Sequence, residues 1–262
     1  MPEEVVLIKF GGSLITNKSK VCSERIDIID KLAKICVNIT SLNKKLIIVH
    51  GAGSFGHIKA KELKIFEGKI ISIYEKQILG IEEIRSDMLS LNEKIIDMML
   101  KYKLKPETYI PHLEGKGSGM NYVFSNKIDE IIKSNKIPVI YGDVVDIDGD
   151  KEFGILSGDD ICEILCKRLK ISHVIFAIDG ADGIIDNPNS KSGGKLIKQF
   201  SSHHPVVVKK LEFDVTGGMN LKIKRGVNCF RQGSRVSIIN GNNTEMILKA
   251  VMGVEYLGTE FI

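Results

Sequence analysis

The stretch LIIVHGAGSFGH, residues 46 to 57, places Gly51, Gly53 and Gly56 in a G-x-G-x-x-G turn directly after an apolar run, with His57 behind it. Glycines in such a turn let backbone N–H groups close around an anion at the start of a helix. The anion could be the pyrophosphate of a dinucleotide or a smaller phosphate. A dinucleotide site needs a full crossover helix after the turn, then a second strand ending in an acidic residue. KIISIYE, 69 to 75, could supply that strand with Glu75 as the ribose ligand. The intervening IKAKELKIFEG is short, dense in lysine and lacks an apolar crossover stripe, so the dehydrogenase reading is disfavoured.

Further glycine motifs stand at other strand ends. Lys9, Gly11, Gly12 and Ser13 close the first apolar run, and Gly142 and Asp143 follow IPVIY. Ser157, Gly158, Asp159 and Asp160 precede a helical run, while Gly217, Gly218, Met219 and Lys222 come late. Ligands of open α/β sheets bind beyond the carboxyl ends of the strands. Several glycine turns there, with two or three lysines, describe a cradle for more than one phosphate. Each residue also has an ordinary reading: a solvated strand-end lysine at 9, a loop lysine at 18 beside Lys20, a helix lysine at 222 near Lys224 and Arg225. Ser157 and Asp160 form S-x-x-D, a capping box, which is the ordinary reading of that acidic pair.

The elements that must position these residues are legible. VVLIKF (5 to 10), LIIVH (46 to 50), IPVIYG (137 to 142), HVIFAI (173 to 178) and RVSIIN (235 to 240) read as buried parallel strands. Between them lie helical patterns, one through Ile26 to Val37 and a long one over roughly 75 to 103 with Ile78, Ile81, Ile84, Met88, Leu91, Ile95, Met98 and Met99 on a broad face. Strands alternating with helices predict an α/β fold with a layered sheet. The glycine-rich and polar stretches at 114 to 121 and 186 to 195 predict loops.

Composition narrows the function. With 43% hydrophobic residues in 262, the chain can bury a sizeable core. Against 37 Lys and Arg stand 33 Asp and Glu, a net +4 without basic blocks, so a nucleic-acid surface is not expected. No apolar run approaches a membrane span, and MPEEVVLIKF does not look like a leader, so a cytoplasmic protein is expected. Cys22, Cys36, Cys162, Cys166 and Cys229 contain no C-x-x-C pair, which predicts reduced thiols and no structural zinc.

Through KFGGSLITNK, HGAGSFGH, YGDVV, SGDD, DVTGGMNLK and the terminal GTE, in that order, the sequence resembles the amino acid kinase family along nearly its whole length. The resemblance implies an open, mainly parallel sheet sandwiched by helices, a three-layer αβα arrangement. It further implies an acceptor-binding N-terminal lobe (1 to 170), a nucleotide-binding C-terminal lobe (171 to 262) within one continuous domain, and a homodimer. Within the family it is closest to the branch that moves the ATP γ-phosphoryl group onto isopentenyl phosphate, with Mg²⁺ arriving on ATP and no dedicated protein metal ligand.

By the same resemblance, Lys9 bridges acceptor and γ-phosphate, and Lys18 is a second active-site lysine. Lys222 neutralises the nucleotide phosphates, and Asp159 orients the lysines. Gly51, Ala52, Gly53, Gly56, His57, Gly142 and Asp143 hold the acceptor; Gly11, Gly12, Ser13, Gly217 and Gly218 join Lys9 and Lys222 around the nucleotide. His57 matches the histidine that grips a phosphate or phosphonate acceptor; its ordinary reading is a structural histidine. Ile73, Tyr74, Ile78 and Ile81 are candidate walls for an apolar tail, though a core stripe would look the same. Where the family has T-D-V-D-G this chain has IDGADGIID, and Asp179 and Asp182 stand nearest its acidic positions. His203 and His204 in SSHHPVVVKK read as loop residues. The alternatives are a kinase for dimethylallyl phosphate, fosfomycin or another small phosphate or phosphonate, and a regulatory or storage module binding nucleotide without turnover. The full set of lysines with the orienting acid speaks for turnover.

Overall fold

A computed structural model describes residues 4–17, 19–186, 194–201 and 218–262. In chain order its strands are β1 (Val5–Phe10), β2 (Lys45–His50), β3 (Pro106–Tyr109), β4 (Gly115–Lys116), β5 (Val123–Phe124) and β6 (Ile137–Tyr141). They continue as β7 (Asp143–Asp146), β8 (Phe153–Leu156), β9 (His173–Ile178), β10 (Gln199–Phe200), β11 (Arg235–Asn240) and β12 (Thr259–Phe261). Among the described residues, eight form one sheet in the order β10-β12-β11-β9-β1-β2-β6-β3. Its pairings are parallel except β11 with β12, so β12 and β10 run against the rest. β4 with β5 and β7 with β8 make two small antiparallel pairs.

The central strands are buried along almost their whole length. Alternate side chains enter two cores, which is why these strands read as continuous apolar runs. Val6, Ile8 and Phe10 of β1 face one core with the helices Ile26–Thr40, Tyr74–Lys101 and Thr244–Met252. Leu7 faces the other with the helices Lys127–Lys133, Gly158–Arg168 and Gly218–Arg231. Helices therefore cover both faces of a mainly parallel sheet.

Each helix shows the periodicity that packs it. The 74–101 helix buries Ile81, Ile84, Met88, Leu91, Ile95 and Met99, a stripe of three- and four-residue steps along one face. The segment 69 to 75 is not a strand: Ile71–Ile73 is a 3-10 turn, and Glu75 lies in the first turn of the long helix. The turn at 51 to 56 instead leads into a six-residue helix, His57–Glu62. With no strand at 69 to 75 to follow it, the dinucleotide reading fails on topology.

β1 sits where the chain reverses its direction across the sheet. β2, β6 and β3 lie to one side, and β9 and β11 to the other. Open α/β sheets form a crevice at such a point, beyond the carboxyl ends of the strands. The glycine after each strand stays in the ladder. Gly11 N–H donates to the Ala177 carbonyl (2.9 Å), Gly51 N–H to Phe10 (3.0 Å) and Gly142 N–H to His50 (3.1 Å). The turns thus leave the sheet from fixed positions.

Candidate active site

A cavity of about 650 Å³ opens at that crevice, lined from β1 by Lys9 and its following Gly11, Gly12 and Ser13. The turn after β2 contributes Gly51, Ala52, Gly56 and His57, and the stretch after β6 contributes Gly142 and Asp143. Gly158 and Asp159, then Asp179, Gly218 and Lys222, complete the polar wall. These residues come from both halves of the chain.

At its centre two lysines share one carboxylate. Asp159 Oδ1 lies 3.0 Å from Lys9 Nζ and 3.0 Å from Lys222 Nζ, and Oδ2 lies 3.2 Å from Lys222 Nζ. All three residues are only 6% exposed. Burying charges is costly unless they are paired, and here one positive charge remains uncompensated. An anion entering the cavity would supply the missing partner.

Local structure explains the aim of each group. Ser157 Oγ accepts the Asp160 N–H (3.0 Å) and Asp160 Oδ2 accepts the Ser157 N–H (3.4 Å), a capping box that starts the 158–168 helix. Asp160 is thereby the cap, and Asp159 turns to the lysines. A Cβ at position 158 would lie 3.2 Å from Lys9 Cε and 3.2 Å from the His50 carbonyl, so glycine lets this helix end approach β1 and β2. Arg225 donates to Asp160 Oδ1 (2.7 Å) and Glu163 Oε2 (2.9 Å). It clamps the 218–231 helix in place one turn beyond Lys222. Lys222 Nζ also stands 5.3 Å from the centroid of the Phe176 ring on β9.

The charges tune one another. Burial acts to raise the Asp159 pKa, but the Lys222 and Lys9 charges outweigh it and hold it at about 2. Burial lowers the Lys222 ammonium to about 8, with Asp159 opposing and Lys9 adding to the drop. Burial opposes the Lys9 charge as well, yet Asp159 more than offsets it and the pKa is raised. His57 sits on the cavity wall, where loss of solvent on its protein side and the Lys9 charge lower its pKa.

The remaining expected residues divide. Gly53 does not line the cavity: it has φ +52°, and a Cβ there would fall 2.5 Å from the Gly12 carbonyl, so it serves loop-to-loop contact. Asp143 lines the cavity, but both carboxylate oxygens are engaged, Oδ2 by His112 Nδ1 (2.7 Å) and Oδ1 by the Val144 N–H (2.8 Å). Asp179 accepts from Arg25 (3.0 Å) and Asn242 (2.9 Å) at the rim. Asp182 lies off the cavity and accepts from Asn240 (3.1 Å). Lys18, Gly217, His203 and His204 lie outside the described residues.

Ile73, Tyr74, Ile78 and Ile81 do not line the cavity. Beyond Ile78 and Ile81, the long helix lines the cavity at Ile84 and Met88. Those two join Ala60, Val144 and Ile155 as an apolar wall adjoining Gly56 and His57. The sequence stripe revealed the buried face but not which turn passes the site. Thr16, Arg25 and His112 were also missed; each supports the site through polar contacts that carry no periodic signal. Among the described residues no three His, Cys, Asp or Glu side chains gather as metal ligands.

The model of the amino acid kinase family matches residues 4–240. The isopentenyl phosphate kinase of Methanocaldococcus jannaschii is 35% identical over 273 residues, covering 98% of each chain. That of Thermoplasma acidophilum is 31% identical over 247 residues, covering 93% of this chain and 94% of its own. The crystal structure of a T. acidophilum isopentenyl phosphate kinase product complex superposes with a TM-score of 0.81 at 27% identity, covering 98% of this chain and 100% of the other.

Proposed function

The chain belongs to the amino acid kinase family, and from that premise we propose that it transfers the γ-phosphoryl group of ATP to isopentenyl phosphate, giving isopentenyl diphosphate and ADP. One observation carries the choice of acceptor. The glycine turn before His57 meets Lys9 Nζ at Gly51 and the apolar side chains of Ile84 and Met88 at Gly56, and Ala60, Val144 and Ile155 line the same cavity. A small phosphate with a short hydrocarbon tail matches that sequence of surfaces.

In this reading an oxygen of the acceptor phosphate attacks the γ-phosphorus, an O–P bond forms, and the bond to the β-bridging oxygen breaks as ADP leaves. The attacking oxygen is already anionic, so no side chain needs to remove a proton. The protein's task is alignment and neutralisation of charge. Lys9 lies between the donor and acceptor phosphates, where repulsion is greatest. Lys222 attends the nucleotide phosphates. Asp159 is a positioning residue that fixes both ammoniums. His57 donates to the acceptor phosphate, whose charge raises the affinity of the imidazole for its second proton. The tail lies against the apolar wall, and the nucleotide reaches towards Gly218 and Asp179. Mg²⁺ arriving on the ATP phosphates would supply further neutralisation there. The acceptor is assigned to the 1–170 part and the nucleotide to the 171–262 part. A homodimer and a cytoplasmic location complete the proposal; light scattering should give twice the mass of one chain.

The test is ADP release from Mg-ATP with isopentenyl phosphate, dimethylallyl phosphate, fosfomycin and glycerol phosphate, for the unmodified protein and His57→Ala. Turnover should favour the isoprenoid phosphates. Loss of one charge-assisted hydrogen bond predicts a fall of about 10- to 100-fold in acceptor kcat/KM for the variant, with the KM for ATP little changed. Preference for fosfomycin or glycerol phosphate would refute the acceptor assignment.

A further inference from the structure

The two loops that would hold the reacting phosphates are fastened together behind the cavity. Thr16, four residues after Gly12 and 1% exposed, donates its hydroxyl proton to the Gly12 carbonyl (2.7 Å). The same oxygen accepts the N–H of Ser54, in the middle of the turn after β2 (3.0 Å). A hydroxyl carries one donor and two acceptor positions, so it can satisfy both partners at once. Ser54 is held from the same side twice more: its carbonyl accepts the Cys22 N–H (3.3 Å) and its Oγ accepts the Ser23 N–H (3.3 Å).

Contact between the loops is close. A Cβ on Gly12 would lie 2.3 Å from Gly53 N, and one on Gly53 would lie 2.0 Å from Thr16 Oγ1. Gly12, Gly51, Ala52 and His57 line the cavity, whereas Thr16, Gly53 and Ser54 do not. The fastening thus stands outside ligand reach, three residues beyond Lys9 at Gly12 and three before His57 at Ser54.

We propose that the Thr16 hydroxyl is a positioning group for phosphoryl transfer, pinning the glycine turn after β2 to the loop after β1 and so setting the separation of acceptor and γ-phosphate. This rests on the kinase reading above. Each loop keeps its own contacts to its own substrate without the pin, so binding of either substrate should change little. Transfer needs both loops in register at once, and misplacement by about 1 Å can cost on the order of 100-fold.

Steady-state kinetics of Thr16→Val, which keeps the shape and removes the hydroxyl, and Thr16→Ser, which keeps the hydroxyl, test the pin. For the valine variant kcat should fall at least about tenfold with each KM within about threefold, and serine should restore kcat to within about threefold. A valine variant with kcat within about twofold of the unmodified protein, a loss seen only in KM, or a serine variant as impaired as valine would overturn the proposal. Should the valine variant fail to fold, amide hydrogen exchange in the unmodified protein decides. The pin predicts Ser54 N–H exchange at least about 100-fold slower than in an unstructured peptide; exchange at the peptide rate overturns it. If the unmodified protein does not turn over isopentenyl phosphate, the functional reading fails, and the exchange measurement still judges the pin by itself.

Discussion

Replacing Asp159 by Asn leaves Lys9 and Lys222 facing each other without the carboxylate both now contact at 3.0 Å. Removing one partner of a buried ion pair costs about 3–5 kcal/mol, which denaturant unfolding should register. Activity should fall at least about 100-fold, because the ammoniums lose the group that fixes them. A variant of unchanged stability and activity would remove Asp159 from the account. The same cluster sets two pH limits. Asp159 has its folded pKa depressed to about 2, so its stabilisation is present above its ordinary 3.8 and is lost as pH falls from about 4 to 2. Lys222, depressed from 10.5 to about 8, acts in the alkaline range: the unfolded chain binds the extra proton there, so its contribution to stability rises with pH from about 8 to 10.5. Activity moves the opposite way, since kcat/KM for ATP should decline above about pH 8 as that ammonium is lost. Bound phosphates favour the charged lysine, which places the alkaline limb of kcat at higher pH. Coincident limbs would show that Lys222 does not meet the nucleotide.

At the scale of elements, the start of the 158–168 helix does two jobs with adjacent residues, Asp160 capping and Asp159 facing the lysines. Ser157→Ala should cost about 1 kcal/mol in unfolding free energy and lower kcat as well, because the turn carrying Asp159 loses its anchor. A stability loss with kcat untouched would separate cap from site. The S-x-x-D signal was readable because a capping box is local in sequence. Strands β1, β2, β6, β9 and β11 were readable because burial on both faces writes itself as an apolar run. β3, whose sequence is PETY, and the two- and three-residue strands β10 and β12 carry no such pattern; their places are set by pairing with distant partners. The wall at Ile84 and Met88 was hidden for a related reason. Periodicity gives the buried face of a 28-residue helix, while the position of the crevice along it depends on the whole sheet.

For the whole molecule, the decisive feature is β1 at the reversal of strand order, with the glycine turn after β2 on one side and Asp179 after β9 on the other. Lys9 stands next to last in the strand between them. One sheet runs across residue 170, since β1 pairs with both β2 and β9, so the two halves of the site share a single rigid support. The glycine and lysine motifs were legible as a phosphate cradle because each stands at a strand end. How they meet was not, because the contacts join residues as far apart as Lys222 and Asp159, or Arg25 and Asn242. The central claim is that this support places isopentenyl phosphate in line with ATP for direct transfer. Phosphorus NMR of the protein with Mg-ATP and isopentenyl phosphate tests it most directly. The account predicts that the monophosphate resonance disappears as a coupled diphosphate pair and ADP grow in equal amounts. A monophosphate signal that persists, whether ATP stays intact or is hydrolysed to inorganic phosphate, would contradict it.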